Sequence, residues 1–230
     1  MATFLVAHGA WSGGWSWKKM RPLMRAHGHR LITPTHTGLG ERNHLARPDI
    51  DLETHIADIV GVLEFEELTG VNLIGHSYGG MVATGAADRA RSRVAQLIYL
   101  DAFAPEDGDS LSELLPEAAR ALRKPVGWKI EPMPMPPDTS AEDVAWCTPK
   151  RLPQPAKTFE QKLTLRNGPL TLPRHYIRCT RVSPDDRFRR FYDRAKSEGW
   201  GAYEIDASHN PHITCPELLM DLLDRIAGHC

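Results

Sequence analysis

Short apolar runs of four to six residues recur along the chain, separated by longer stretches in which apolar positions return every three or four residues. Runs of the first kind suit buried strands and those of the second amphipathic helices, so their alternation predicts crossover units on a largely parallel sheet. The strands are expected at Thr3 to Ala7, Arg30 to Pro34, Val71 to Gly75, Gln96 to Leu100, Arg174 to Cys179 and Ala202 to Ile205. The clearest helix runs from Leu52 to Leu68, where Leu52, Ile56, Ile59, Val60 and Leu63 fall on one face. The last runs from Pro216 to Ile226, and Thr214-Cys215-Pro216-Glu217 at its start reads as a capping box with proline in the first turn. The fold class predicted is α/β, a mostly parallel six-stranded sheet with helices on both faces.

One segment breaks this rhythm. Pro105 to Pro173 holds 12 of the 18 prolines, with a cluster from Pro132 to Pro137. Proline removes amide donors and opposes helix and sheet interiors, so the segment is no further strand-helix repeat. It is also too long and too rich in Trp, Leu and Phe for a bare linker, and reads as an inserted cap over residues 104–173. The full 230 residues suffice for one sizeable core, which makes 1–230 a single domain carrying that insertion.

Composition then narrows the function. Lys plus Arg number 28 and Asp plus Glu 29, so the formal charge of -1 leaves no electrostatic footprint for nucleic acid or an anionic membrane. No apolar run approaches the roughly 18 residues of a membrane span. Met1 to His8 enters a strand with no basic segment before it, unlike a secretory signal, and a cytoplasmic setting is expected. Cys147, Cys179, Cys215 and Cys230 lie far apart without CxxC spacing, so free thiols are expected rather than a zinc site or a disulfide framework.

The sharpest motif is Gly75-His76-Ser77-Tyr78-Gly79-Gly80, directly after the run Val71 to Ile74 and directly before the small and apolar stretch Met81 to Ala87. A strand that turns into a helix within a few residues, with a strained serine at the turn and glycines where the backbones crowd, is a nucleophile elbow. Serine needs a general base, and in the chain order serine, acid, histidine that base lies near the C-terminus. His209, in the loop before the last helix, is the candidate. His212, which follows Pro211 nearer that helix, is its rival and reads as a structural or pocket residue.

Two places compete for the acid. Asp101 stands at the carboxyl end of a strand, where sites of open α/β sheets are built. Asp185 and Asp186 follow the penultimate strand but look like first-turn acids of a helix capped by Ser183, with Pro184 at its first position. Acyl transfer further needs backbone donors for the developing oxyanion, and the amides of Tyr78 and Ala10 are the candidates, the latter in the turn His8-Gly9-Ala10. His8 itself reads as a buried residue holding that loop. Trp128 and Trp146, with Phe103 at the entrance of the cap, either line an apolar pocket or pack the cap on the core.

Taken together, His8-Gly9-Ala10-Trp11, the elbow hexapeptide and the C-terminal histidine resemble the α/β-hydrolase fold, in particular the plant methyl-ester esterase and hydroxynitrile lyase group and its bacterial relatives. Thr37-Gly38-Leu39-Gly40-Glu41-Arg42 and the run Tyr99 to Gly108 are similar to the bacterial branch. The plant pattern carries its acid after the penultimate strand, whereas haloalkane dehalogenases, similar in fold, place it after the strand that feeds the cap, the position of Asp101. The residues and the resemblance together imply a serine hydrolase that cleaves carboxylic esters of small, apolar or aromatic substrates through an acyl-enzyme, without cofactor or metal and with Trp11 in the substrate pocket. The plant relatives imply a homodimer as one option. Hydroxynitrile lyases of this group carry lysine right after the catalytic histidine; here Asn210 stands there, which disfavours a lyase. A non-catalytic receptor, also known on this fold, is the third alternative. Many such folds begin with two antiparallel strands, which this chain is expected to lack because the oxyanion loop already begins at His8. With a net charge near zero to select a substrate, specificity is expected from the shape and apolar lining of the cap.

Overall fold

The computed structural model describes residues 1–181 and 186–228. From the N-terminus run strand β1 (Thr3–Ala7), helix α1 (Met20–Ala26), β2 (Arg30–Ile32), α2 (Leu52–Phe65), β3 (Val71–His76), α3 (Gly79–Arg89) and β4 (Val94–Leu100). A long excursion follows, with α4 (Leu111–Leu114), α5 (Glu117–Ala121), β5 (Lys129–Ile130), α6 (Ala141–Cys147), β6 (Gln154–Pro155) and α7 (Lys157–Glu160). The chain then returns through β7 (Arg174–Cys179), α8 (Arg189–Ser197), β8 (Gly201–Ile205), the short α9 (Pro211–Thr214) and α10 (Pro216–Ala227).

Six strands form one sheet in the order β2-β1-β3-β4-β7-β8, and every pairing in it is parallel. Side chains of successive strand residues point to opposite faces, so each strand feeds two cores. Phe4, Val6, Ile74, Ile98, Leu100 and Ile177 face Met20 and Met24 of α1 and Leu219, Met220, Leu223 and Ile226 of α10. Leu5, Ala7, Leu73, Leu97, Tyr99 and Tyr176 share the other core with α2, α3 and α8. Leu111, Leu115, Ile130, Phe159 and Leu163 of the excursion belong to that second core.

Several element ends differ from the sequence reading: β2 stops at Ile32 rather than Pro34, β3 and α10 each run one residue further, and β4 and β8 begin earlier, at Val94 and Gly201. The second helix stops at Phe65 instead of Leu68, because Glu67 turns left-handed at φ 50° and the amides of Glu67 and Leu68 return to the carbonyls of Glu64 and Leu63. At the last helix the capping box is absent: Cys215 holds the cap position, and the Thr214 hydroxyl donates instead to the Asn210 carbonyl at 3.2 Å. The short α9 has already claimed Thr214, so of that start signal Pro216 and Glu217 remain in the first turn.

The chain leaves β1 toward β2 on one side and later places β3 on the other side of β1. Loops leaving the carboxyl ends of these two strands therefore diverge, and the crevice between them is where an open parallel sheet builds its site. The turn Gly9-Ala10 and Ser77 both stand there.

Candidate active site

The strand-to-helix turn after β3 is shaped by steric exclusion. Ser77 lies in the left-handed region at φ 54°, and a Cβ on Gly79 or Gly80 would sit 2.0 Å from the Ala7 carbonyl oxygen or 1.9 Å from that of Phe103. Only glycine lets the turn approach the neighbouring backbones this closely. The Ser77 amide donates to the Leu100 carbonyl at 3.3 Å, and the Ser77 carbonyl accepts from the Phe103 amide at 3.2 Å. The elbow is thereby tied to the end of β4, where Asp101 also takes a left-handed φ of 42°.

Three strand ends converge here. The Ser77 hydroxyl lies 2.9 Å from His209 Nε2, and His209 Nδ1 lies 2.7 Å from Asp101 Oδ2. An ionised carboxylate only accepts, so Nδ1 carries the imidazole proton and Nε2 receives the serine hydrogen. Asp101 Oδ1 accepts the Cys179 amide at 3.1 Å, which fixes the carboxylate plane. His209 is set by neighbours that sequence reading did not single out. His76 Nε2 donates to the His209 carbonyl at 2.8 Å, and the Phe188 ring stacks on the imidazole at 5.1 Å between centroids. His76 adjoins the serine in the motif, which is the one signal that could have found it; nothing in the chain points to Phe188.

The rivals His212 and Asp186 border the same cavity but stand outside the relay. His212 is buried in α9, stacked on Trp17 at 4.6 Å, and burial holds its pKa down to about 3. Asp186 precedes α8 rather than lying in its first turn, and its Oδ2 accepts from Arg178 at 2.7 Å. Asp185, Ser183, Pro184 and Cys230 lie outside the described residues. His8 does hold its loop: Nδ1 donates to the Gly9 carbonyl at 2.9 Å and Nε2 accepts the His36 amide at 3.0 Å, while burial lowers its pKa to about 4.

The serine opens on a cavity of about 620 Å³. Ala10 and Tyr78 border it, and among the described residues no acceptor takes either of their amides. Trp11 lines it at a left-handed φ of 57°, held by its amide on Gln154 Oε1 at 3.0 Å and its indole N–H on the Ile130 carbonyl at 2.9 Å. Both acceptors belong to the excursion, which is thereby tied to the loop after β1. Phe103 lines the cavity too, buried edge-on against Phe188 and Phe191.

Trp128 and Trp146 do not line it. Trp146 packs edge-on against Trp15 at 5.6 Å, and the Lys129 ammonium lies 4.5 Å from the centroid of the half-buried Trp128 ring. Nor is the lining purely apolar: Arg123, Asp138, Arg151, Arg181, Asp186 and Arg187 reach it, a charge distribution that a near-zero sum conceals. Among the described residues no group of three or more His, Cys, Asp or Glu side chains is placed to hold a metal ion. No helix among them is long and apolar enough to cross a membrane.

A hydroxyl bonded to the open nitrogen of an imidazole, itself held by a carboxylate, is an arrangement that makes an alcohol nucleophilic at neutral pH. Comparison with known proteins identifies the family. Residues 4–222 match the pattern of the alpha/beta hydrolase family. A carbendazim hydrolyzing esterase from Nocardioides sp. (strain SG-4G) is 40% identical over 97% of this chain and 98% of its own length. Methylesterase 2 from Arabidopsis thaliana is 32% identical over 54% of this chain and 48% of its own. Among solved structures, an extracellular alpha/beta-hydrolase from a Paenibacillus species superposes with a TM-score of 0.84 over 98% of both chains at 22% identity.

Proposed function

The chain belongs to the alpha/beta hydrolase family, and from that premise we propose that it is a serine esterase that cleaves small carboxylic esters through an acyl-enzyme. The observation that carries this reading is the relay from Ser77 through His209 to Asp101, at 2.9 and 2.7 Å, opening on a cavity. The full-length likeness to an enzyme named as an esterase supports the ester as substrate class.

In this mechanism Ser77 Oγ attacks the ester carbonyl carbon as its proton passes to His209 Nε2. The carbonyl electron pair moves onto oxygen, which the amides of Ala10 and Tyr78 receive. Collapse of the tetrahedral intermediate breaks the bond to the alcohol oxygen, and that oxygen takes the proton from Nε2. A water then gives its proton to Nε2 and attacks the acyl carbon. The second collapse releases the acid and returns the proton to Ser77. Throughout, Asp101 keeps the Nδ1 proton in place and stabilises the imidazolium without taking the proton itself. Residues 104–173 serve as the cap of a single domain, and Trp11 and Phe103 bound the substrate pocket.

Nitrophenyl esters of increasing chain length, together with carbendazim, measure the class and the pocket. Turnover is expected to fall by roughly 1,000-fold or more in Ser77→Ala. A Ser77→Ala protein that keeps full activity would end this reading.

A further inference from the structure

Arg151 stands apart from the other cations at the cavity. Arg181 is engaged by both oxygens of Asp206 at 2.9 Å, Arg123 donates to the Ala119 carbonyl at 2.5 Å, and Arg187 has a partner of its own. The half-buried Arg151 guanidinium lies 5.9 Å from the centroid of the Trp11 ring. Its one hydrogen bond goes from Nη1 to the Met133 carbonyl at 2.5 Å, and among the described residues no carboxylate lies within ion-pairing distance. Arg151 borders the cavity, and among the described residues no acceptor takes its Nε or Nη2.

A guanidinium taken partly out of water without a counter-charge is costly, and burial accordingly pulls its pKa below the usual value. An anion entering the cavity supplies the missing partner. Three carboxylates, Asp101, Asp138 and Asp186, border the same space and oppose a doubly charged ligand, while the flat fork of the guanidinium matches two coplanar oxygens. We propose that Arg151 determines specificity by receiving a free carboxylate beside Trp11, so that the preferred substrates are esters carrying a second, ionised carboxyl group. This rests on the serine-esterase reading for turnover, though the carboxylate site itself does not need hydrolysis to be measured.

Two measurements test it. The first compares mono-4-nitrophenyl esters of unbranched dicarboxylic acids of six to ten carbons with the neutral 4-nitrophenyl alkanoates of equal length. In the native protein kcat/KM is expected to favour the half-ester at one or more lengths by roughly 10- to 100-fold, the effect of one charge-assisted pair. Arg151→Met should erase that ratio chiefly through KM, and Arg151→Lys, which keeps the charge but loses the fork, should restore part of it. The second follows tryptophan fluorescence of Ser77→Ala during titration with monomethyl adipate or dimethyl adipate. The monoester is expected to bind at least tenfold more tightly, and this preference should vanish when Arg151→Met is added. A native protein that favours neutral esters at every length, or binds both adipates within threefold, overturns the proposal. Selective monoester binding without turnover of any ester would instead overturn the serine-esterase reading and leave the carboxylate site standing.

Discussion

Asp101 accepts one hydrogen bond from the Cys179 amide and one from His209 Nδ1, so exchanging its carboxylate for an amide disturbs both the anchor and the tautomer. Asp101→Asn is expected to lower kcat on a nitrophenyl ester by roughly 1,000- to 10,000-fold, the scale of the analogous loss in serine triads. Asp186→Asn, which breaks a bond to Arg178, should cost far less. Steady-state kinetics of the two variants side by side decide between them, and a larger loss in Asp186→Asn would refute the relay described above. Ser77 was legible in the sequence because its neighbours are diagnostic. His209 was legible from chain order and from its loop. Phe188 and Arg151 were not, since each is placed by residues distant along the chain and carries no motif of its own.

At the scale of the element, the strand-to-helix turn is the most tightly determined piece of the molecule. The glycines at 79 and 80 are demanded by carbonyl oxygens of Ala7 and Phe103, which come from two other strand ends. Backbone cannot move aside without breaking the parallel ladders of β1 and β4, so Gly79→Ala is expected to destabilise by at least about 3 kcal/mol, at the upper end for overpacking. Urea denaturation measures this, and a variant within about 1 kcal/mol of the native protein would show that the turn has room to relax. The hydrophobic period placed every strand of the main sheet, most clearly β1, β3 and β4, which are buried on both faces and so read as near-continuous apolar runs. Helix ends were less legible. Glu67 in a left-handed conformation and the competing turn at Thr214 are settled by local backbone closure, which side-chain pattern does not encode.

Across the whole molecule, buried histidines couple stability to pH. Burial lowers His8 and His55 to about 4 and His212 to about 3, from an unfolded value near 6.5, and holds His36 well below it. Between about pH 4 and 6.5 the unfolded chain therefore binds protons that the folded one refuses, so stability rises with pH over that window and is lost as acid is added. Above pH 7 both states are neutral at these rings and the contribution is constant. Denaturant midpoints from pH 4.5 to 8 should show this rise. His212→Phe, which preserves an aromatic ring against Trp17, should flatten it by up to about 1.4 kcal/mol per pH unit. A flat native profile below pH 6.5 would contradict the burial of neutral imidazoles. By itself the sequence determined the sheet class, the elbow and the histidine loop, because apolar period and glycine placement are local and repeat along the chain. Which acid reaches His209, which aromatics face the cavity and which cavity arginine lacks a carboxylate partner among the described residues were decided only by tertiary structure. Each depends on distances between residues of distant elements, and the closing of β4 and β7 around Asp101 or the folding of the proline-rich excursion over Trp11 has no counterpart in composition or net charge.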